Sequence, residues 1–463
     1  MSSFFLPRVV RFAAPLMLSA SIAGAQTIPT PAALTSYVDS VATAAIAQHQ
    51  AVGVSVAVVR KGQIVLAKGY GLADLENEVP ATENTVYRIG SVTKQFTAAA
   101  IMRLVEQGKL SLDDTLQKFF PSYPVQGHRV LVRHLLNHTS GIKSYTSLGP
   151  KWFSKMRLDM AHDTLLAMFA NEPFDFSPGD KWSYDNSGYF LLGMIIEKVS
   201  GKTYGKYLED EFFTPLGLKG TFYCDLRPII KHRAQGYTPL PGGTFQNSDL
   251  LSMTQPYAAG SLCSTVLDLA TWAQALASGK VVTPASYAKM STPLTLNDGK
   301  PLVYGFGLGV GNLQGHRQVS HNGGINGFIS ELHHYVDDSL FTVVLTNIEG
   351  PTAPNLERAI AKRALGIPDN VIKDLPIPTA ELARVAGTYA MGPLMIRIFA
   401  DGATLKSQAQ GPGQGAFRLK YQGGNFYVAD FDPEVTAEFA AGNPAPSFTL
   451  DQRGNKGQAI RKP

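Results

Sequence analysis

The chain has 463 residues, of which 44% are hydrophobic and 17% charged, with a formal net charge of +5. That balance excludes intrinsic disorder, which needs little apolar content and high net charge. The charge is also spread without the basic patch of a nucleic-acid binder. Two cysteines cannot staple a chain this long, so a disulfide scaffold is excluded as well.

Taken in chain order, residues 1–25 read as a signal peptide. Arg8 and Arg11 give a basic start, Phe12 to Ala23 is an apolar run, and Ala23-Gly24-Ala25 supplies a small-residue cleavage site. The run falls short of the roughly 20 residues a membrane span needs. Export to the periplasm or the medium is therefore expected, with no transmembrane segment in the mature chain. Thr35 to His49 has the pattern of an amphipathic helix. Val52–Val59 and Gln63–Gly69 follow as a hairpin about Lys61-Gly62. Three apolar helices are expected over Ser91–Glu106, Gly188–Val199 and Ser264–Ala277, each closed by a glycine (Gly108, Gly201, Gly279). Strands return at Gly305–Val310, Phe328–Tyr335 and Leu340–Asn347, the last two joined at Asp337-Asp338.

Strands at both ends of a helical region predict a sheet whose strands come from both ends of the chain, with a helical region inserted. Pro368, Pro376 and Pro378 mark a linker over 367–380. Beyond it, 381–463 alternates short apolar runs with Gly and Asp turns, which predicts a small C-terminal all-β domain, sandwich or barrel. The expected division is 1–25 signal peptide, 26–366 main domain, 367–380 linker and 381–463 β domain. Nothing in their spacing brings Cys224 and Cys263 together, and two separate buried thiols is the simpler reading.

Most chemical motifs fail on inspection. His134 and His138 lie four apart on an expected helix but lack the intervening Glu and a third ligand of a zinc site, so they read as a structural pair. Gly305-Phe-Gly-Leu-Gly-Val-Gly311 lacks the Lys-Ser/Thr of a phosphate loop and reads as a closely packed strand. Gly53-Val-Ser55-Val-Ala57 misses the last glycine of a nucleophile elbow. No metal and no cofactor is called for.

Ser-x-x-Lys remains, at Ser91/Lys94, Ser140/Lys143 and Ser286/Lys289. Only Ser91 opens a buried helix, where Ser and Lys three apart share a face. A lysine there is desolvated, which disfavours its charge and suits it to accept a proton. The helix N-terminus favours developing negative charge nearby. Tyr184-Asp-Asn186 sets a phenol and an amide beside another buried helix. The glycines of His321-Asn-Gly-Gly324 allow close approach of a substrate backbone.

Together these strings resemble the serine β-lactamase and penicillin-binding protein superfamily, in its class C-like branch of DD-carboxypeptidases, D-aminopeptidases and family VIII esterases. The resemblance spans about residues 35–365 and rests on five strings in order: Tyr87-Arg-Ile-Gly-Ser-Val-Thr-Lys94, Leu135-Leu-Asn-His-Thr-Ser-Gly141, Trp182-Ser-Tyr-Asp-Asn-Ser-Gly-Tyr189, Ala259-Gly-Ser-Leu-Cys-Ser-Thr265 with Asp268, and His321-Asn-Gly-Gly324. It implies Ser91 as the acylated nucleophile, Lys94 and Tyr184 as proton-handling partners, and Asn186, His321, Gly323 and Gly324 as substrate-binding residues. It also implies a β-lactamase/transpeptidase-like fold, an α/β (α+β) domain with an antiparallel sheet flanked by helices and a helical insertion, and an oxyanion hole from the backbone N–H groups of Ser91 and Gly324. Which of Lys94 and Tyr184 is the base stays open. Lactamases usually carry Lys-Thr-Gly where this chain has His321-Asn-Gly, and a mostly neutral histidine weakens any anchor for a substrate carboxylate. The expected activity is that of an exported serine hydrolase acting through an acyl-enzyme on a small amide, D-amino-acid peptide or ester. The alternatives are a β-lactamase proper and a non-catalytic receptor for penicillins or peptidoglycan fragments. The partner is a small-molecule or peptide substrate and not nucleic acid. Oligomeric state and the role of the β appendage, cleft cover or packing module, are open.

Overall fold

Strand β1 (Gly53–Arg60) alternates its side chains between two cores, and this sets the architecture of the larger unit. Val54, Val56 and Val58 enter one hydrophobic cluster, and Ala57 and Val59 enter the other, all fully buried. A strand covered on both faces reads as a continuous apolar run, which Gly53-Val-Ser-Val-Ala-Val-Val59 is. Each buried valine contributes about 1.5 kcal/mol or more. The structure is a computed structural model describing residues 28–368, 372–410, 415–452 and 455–463. The expected signal peptide lies outside these residues.

β1 pairs with β2 (Gln63–Asp74), which pairs in turn with the two-residue β3 (Val79–Pro80). Late in the unit come β4 (Gly309–Leu313), β5 (His316–Ile325), β6 (Phe328–Tyr335) and β7 (Leu340–Thr346). The antiparallel sheet has the order β3-β2-β1-β7-β6-β5-β4, with Val56 opposite Val344. The first and last strands of the sheet therefore lie side by side, and the helical region is inserted between β3 and β4, as the sequence predicts. Helices α1 (Pro31–Ala47) and α5 (Thr352–Leu365) share one cluster with β1 and β7. The opposite cluster holds α2 (Thr93–Glu106), α3 (Asn186–Ser200) and α4 (Val266–Ala277). Among the described residues no helix is long and apolar enough to cross a membrane.

Three expectations are corrected. The strand expected at Gly305–Val310 runs instead from Gly309 to Leu313. Gly307 has φ +69, and a Cβ there would stand 2.6 Å from the Lys94 carbonyl oxygen, so this glycine lets the chain cross α2 rather than extend. His134 and His138 share no helix face, because the helix ends at Leu136 and His138 adopts φ 62. Cys224 and Cys263 are not separate thiols but a disulfide, with Cα atoms 5.3 Å apart. The reason is a pairing that sequence spacing hides: Phe222 stands opposite Cys263, and the Cys224 N–H donates to the Ser261 carbonyl at 2.8 Å.

The chain divides into two units, 1–367 and 368–463. The second is a closed barrel of eight antiparallel strands: β8 (Gly387–Met391), β9 (Leu394–Asp401), β10 (Thr404–Ala409), β11 (Phe417–Gly423), β12 (Phe426–Ala429), β13 (Asp432–Phe439), β14 (Ser447–Gln452) and β15 (Asn455–Arg461). β8 meets β15 to close it, with Tyr389 opposite Arg461. Tyr389, Ile396, Ile398, Leu405, Leu419, Tyr427, Phe439 and Phe448 fill the interior.

Candidate active site

Ser91 sits in a single 3-10 turn, Gly90–Val92, that leads directly into α2. Gly90 is required there: its φ is +48, and a Cβ would meet Gly324 backbone at 3.0 Å. Gly323 is closer still, its imaginary Cβ only 2.0 Å from the Ile89 carbonyl oxygen. These two contacts lay β5 against the nucleophile turn, and Ser330 on β6 ties it down by donating to the Ile89 carbonyl at 2.8 Å.

Lys94 lies one turn on, fully buried. Its Nζ stands 3.1 Å from Ser91 Oγ, 2.9 Å from Asn186 Oδ1 and 2.8 Å from the Ala259 carbonyl oxygen. Two of these atoms can only accept. The Asn186 amide is fixed because its Nδ2 donates to Thr146 Oγ1 at 3.1 Å. The ammonium also stands over the ring faces of Tyr184 and Tyr189, at 4.7 and 5.4 Å. Burial drives the Lys94 pKa well below its usual value, with the charge of Asp185 opposing.

Tyr184 and Asn186 flank Asp185, which caps α3. The Asp185 carboxylate accepts from the N–H groups of Ser187 and Gly188 at 2.8 and 3.0 Å and from Ser140 Oγ at 3.2 Å. Burial nevertheless raises Asp185 to about 7. The Tyr184 hydroxyl is buried and lacks a partner at full hydrogen-bond geometry. Burial pushes this phenol well above its ordinary range, with nearby Ser91 pulling the other way. Tyr184 is therefore protonated at neutral pH.

His321 is 5% exposed and engaged at both nitrogens. Nδ1 lies 2.6 Å from the Asn322 carbonyl, which can only accept, so Nδ1 carries the proton and Nε2 accepts from the Tyr304 hydroxyl at 2.7 Å. Burial lowers its pKa to about 3, and Lys94 adds to the effect. The ring is a neutral prop for β5, and it can bind a substrate only by giving up Tyr304. Asn322 and Gly324 are exposed beside it.

All the residues singled out in sequence thus converge, and four more join them. His138 accepts the Asp185 N–H at 3.0 Å through Nδ1 and packs its ring 4.4 Å from Tyr184. Ala259, Thr146 and Tyr304 complete the set. Ala259 and His138 lie inside strings that sequence reading had marked. Nothing around Thr146 or Tyr304 announces them.

The beta-lactamase family model matches residues 38–366. The chain belongs to the beta-lactamase family. Penicillin-binding protein 4* of Bacillus subtilis (strain 168) is 30% identical to it over 437 residues, covering 86% of this chain and 93% of the relative. D-aminopeptidase of Brucella anthropi is 28% identical, covering 70% of this chain and 61% of that longer protein. Among solved structures, the octameric penicillin-binding protein homologue from Pyrococcus abyssi superposes with a TM-score of 0.66 at 28% identity, over 92% of this chain and all of that one. The D-amino acid amidase of Ochrobactrum anthropi SV3 gives 0.64 at 25% identity, covering 72% and 98%. This beta-lactamase-family protein is a serine hydrolase of the β-lactamase and DD-peptidase type.

Proposed function

We propose that the protein is an exported serine hydrolase that acylates Ser91 with a small amide, a D-amino-acid peptide or an ester. The observation that carries this reading is the environment of Lys94 Nζ. Asn186 Oδ1 and the Ala259 carbonyl take two of its hydrogens. In the neutral amine the remaining lone pair then faces Ser91 Oγ. Lys94 is the base on this account, and protonated Tyr184 is the acid.

Lys94 takes the Ser91 proton as Oγ attacks the substrate carbonyl carbon. The oxyanion develops toward the backbone N–H groups of Ser91 and Gly324, where each donor is worth about 10²–10³ in rate. Tyr184 protonates the leaving nitrogen or oxygen and then regains a proton, the one that Lys94 took from Ser91. The second Asn186 Nδ2–H is left for the substrate amide once Thr146 has taken the first. Water then attacks the acyl-enzyme, and Ser91 regains its proton.

Export is supported by the leader pattern of residues 1–25 and by the Cys224–Cys263 disulfide, a bond typical of oxidising compartments. The neutral His321 disfavours efficient β-lactam turnover, because no fixed cation stands there for a β-lactam carboxylate. A panel of D-alanyl-D-alanine peptide, D-amino-acid anilide, short-chain nitrophenyl ester and chromogenic cephalosporin tests the proposal on purified protein. Turnover of one of the first three is expected, together with fluorophosphonate labelling that Ser91→Ala abolishes. Normal turnover by Ser91→Ala overturns it. A stoichiometric burst without turnover assigns a receptor instead, and rapid cephalosporin hydrolysis assigns a β-lactamase.

A further inference from the structure

Three residues before the nucleophile, Arg88 carries a guanidinium that the chain leaves without an anion. At most about 10 Å of backbone separate it from Ser91. Its strand partner is Cys263, and the guanidinium rests 5.8 Å over the Phe328 ring. No hydrogen bond or ion pair reaches it among the described residues. Burial lowers its pKa to about 10, and the charge of Arg233 adds to this.

Arg233 is held there by the backbone. It bridges Val86, with the Val86 N–H donating to His232 and the Ala234 N–H donating back to Val86, both at 2.9 Å. Its guanidinium has no carboxylate partner among the described residues either. The two cations share a cavity of about 290 Å³ with Asn247, Ser248, Asn326 and the Phe328 ring. The acids nearby are already committed. Asp249, which also lines the cavity, is paired with Arg157, and Glu349 accepts from the Gly327 N–H and the Ser248 hydroxyl. The far wall is built for close approach, since a Cβ on Gly236 would strike the Phe328 ring at 2.6 Å.

Arg88, mostly desolvated, and Arg233, exposed, thus turn two like charges toward one cavity, where an anion between them would relieve their repulsion. Asn326 stands two residues beyond Gly324, in the turn between β5 and β6, so at most about 7 Å of backbone leads from the expected oxyanion position to this cavity. A planar carboxylate suits paired guanidiniums, which bind it through parallel N–H donors.

We propose that this cavity holds a carboxylate carried by the acyl part of the substrate, gripped between Arg88 and Arg233. The assignment rests on the hydrolase reading above and adds to it a preference for anionic acyl groups, supplied by arginines rather than by His321.

Nitrophenyl monoesters of succinate, glutarate, adipate and pimelate, each compared with the neutral ester of equal length, test it on the full chain. For the best length, kcat/KM for the acid exceeds that for its neutral partner at least about tenfold. Arg88→Gln and Arg233→Gln each bring that ratio near one, and because it is a ratio it is insensitive to a partly folded sample. A ratio near one in the unaltered enzyme at every length overturns the proposal, as does a ratio that neither variant changes. Should no ester be hydrolysed, the peptide and anilide of the panel above decide the hydrolase reading, and calorimetric titration of the full chain with free glutarate decides the cavity. Binding that Arg88→Gln and Arg233→Gln weaken supports the site, and no binding overturns it. Inorganic phosphate binding more tightly than glutarate overturns the carboxylate assignment.

Discussion

The two faces of the seven-stranded sheet each bury an ionisable cluster, and they treat charge in opposite ways. On the α2 side, Lys94 is surrounded by a hydroxyl, an amide oxygen, a carbonyl and two aromatic rings. On the α5 side, His333 of β6 stands between two carboxylates, with Nε2 2.6 Å from Glu331 and Nδ1 3.6 Å from Glu357. Burial alone would lower both bases. It prevails for Lys94, whereas Glu357 and Glu331 outweigh it for His333, whose pKa is raised. Depth of burial alone therefore does not set protonation here. Where carboxylates touch the base they override burial, as at His333, and where uncharged groups touch it burial prevails, as at Lys94.

The sharpest way to break this contrast is Lys94→Arg, since a guanidinium cannot become neutral in a protein. A loss of at least about 10³-fold in kcat/KM is expected. Recovery at pH 10 would sink the lone-pair account. Gly307→Ala acts on the packing of α2 rather than on charge, because its Cβ would meet the Lys94 carbonyl at 2.6 Å and its φ is +69. A destabilisation of about 2 kcal/mol is expected in chemical denaturation.

Asp185→Asn removes the one carboxylate that supports the Lys94 ammonium. The Lys94 pKa then falls further, so the acid limb of the kcat/KM profile moves to lower pH, while asparagine, as good an N-cap as aspartate, keeps α3 capped. An acid limb that stays in place or moves upward would contradict it.

The smallest effect is a slope. His333 titrates higher in the folded protein, so its stabilisation is complete below about 6.5 and is lost as pH rises through the raised value. Glu357, raised by burial despite His333, also makes the folded state hold its proton longer, and this too erodes stability as pH rises. The double variant His333→Gln, Glu357→Gln should show a flatter decline of Tm between pH 5 and 8 than the parent. An equal or steeper decline would refute it.

The residues of the candidate site were legible in the sequence because they sit at helix starts and glycine turns, whose signals are local. Ser91 opens α2, Asp185 caps α3, and Gly323 lies where no side chain fits. Thr146 and Tyr304 escaped because each is brought in by tertiary packing alone. The same holds for Cys224, which reaches Cys263 through a two-residue strand too short to predict. In the barrel, runs such as Leu394–Phe399 were legible as strands. Thr404–Ala409 and Asn455–Arg461 were not, because only one or two buried apolar residues stand among their polar ones. The His333 cluster left no trace in sequence, since its members come from a strand and a helix that meet only in the folded core.

The ends of the sheets have a consequence for how copies of this protein can meet. Unpaired strand edges are templates for main-chain pairing between molecules. The barrel has none, because β8 closes on β15. One edge of the larger sheet is β3, two residues long and ending in Pro80, which lacks an N–H. The other is β4, where the Val310 N–H already donates to Val303 and Gly309 bridges Tyr304. Main-chain pairing between copies through the ends of the seven-stranded sheet or through the barrel thus has to wait for local unfolding.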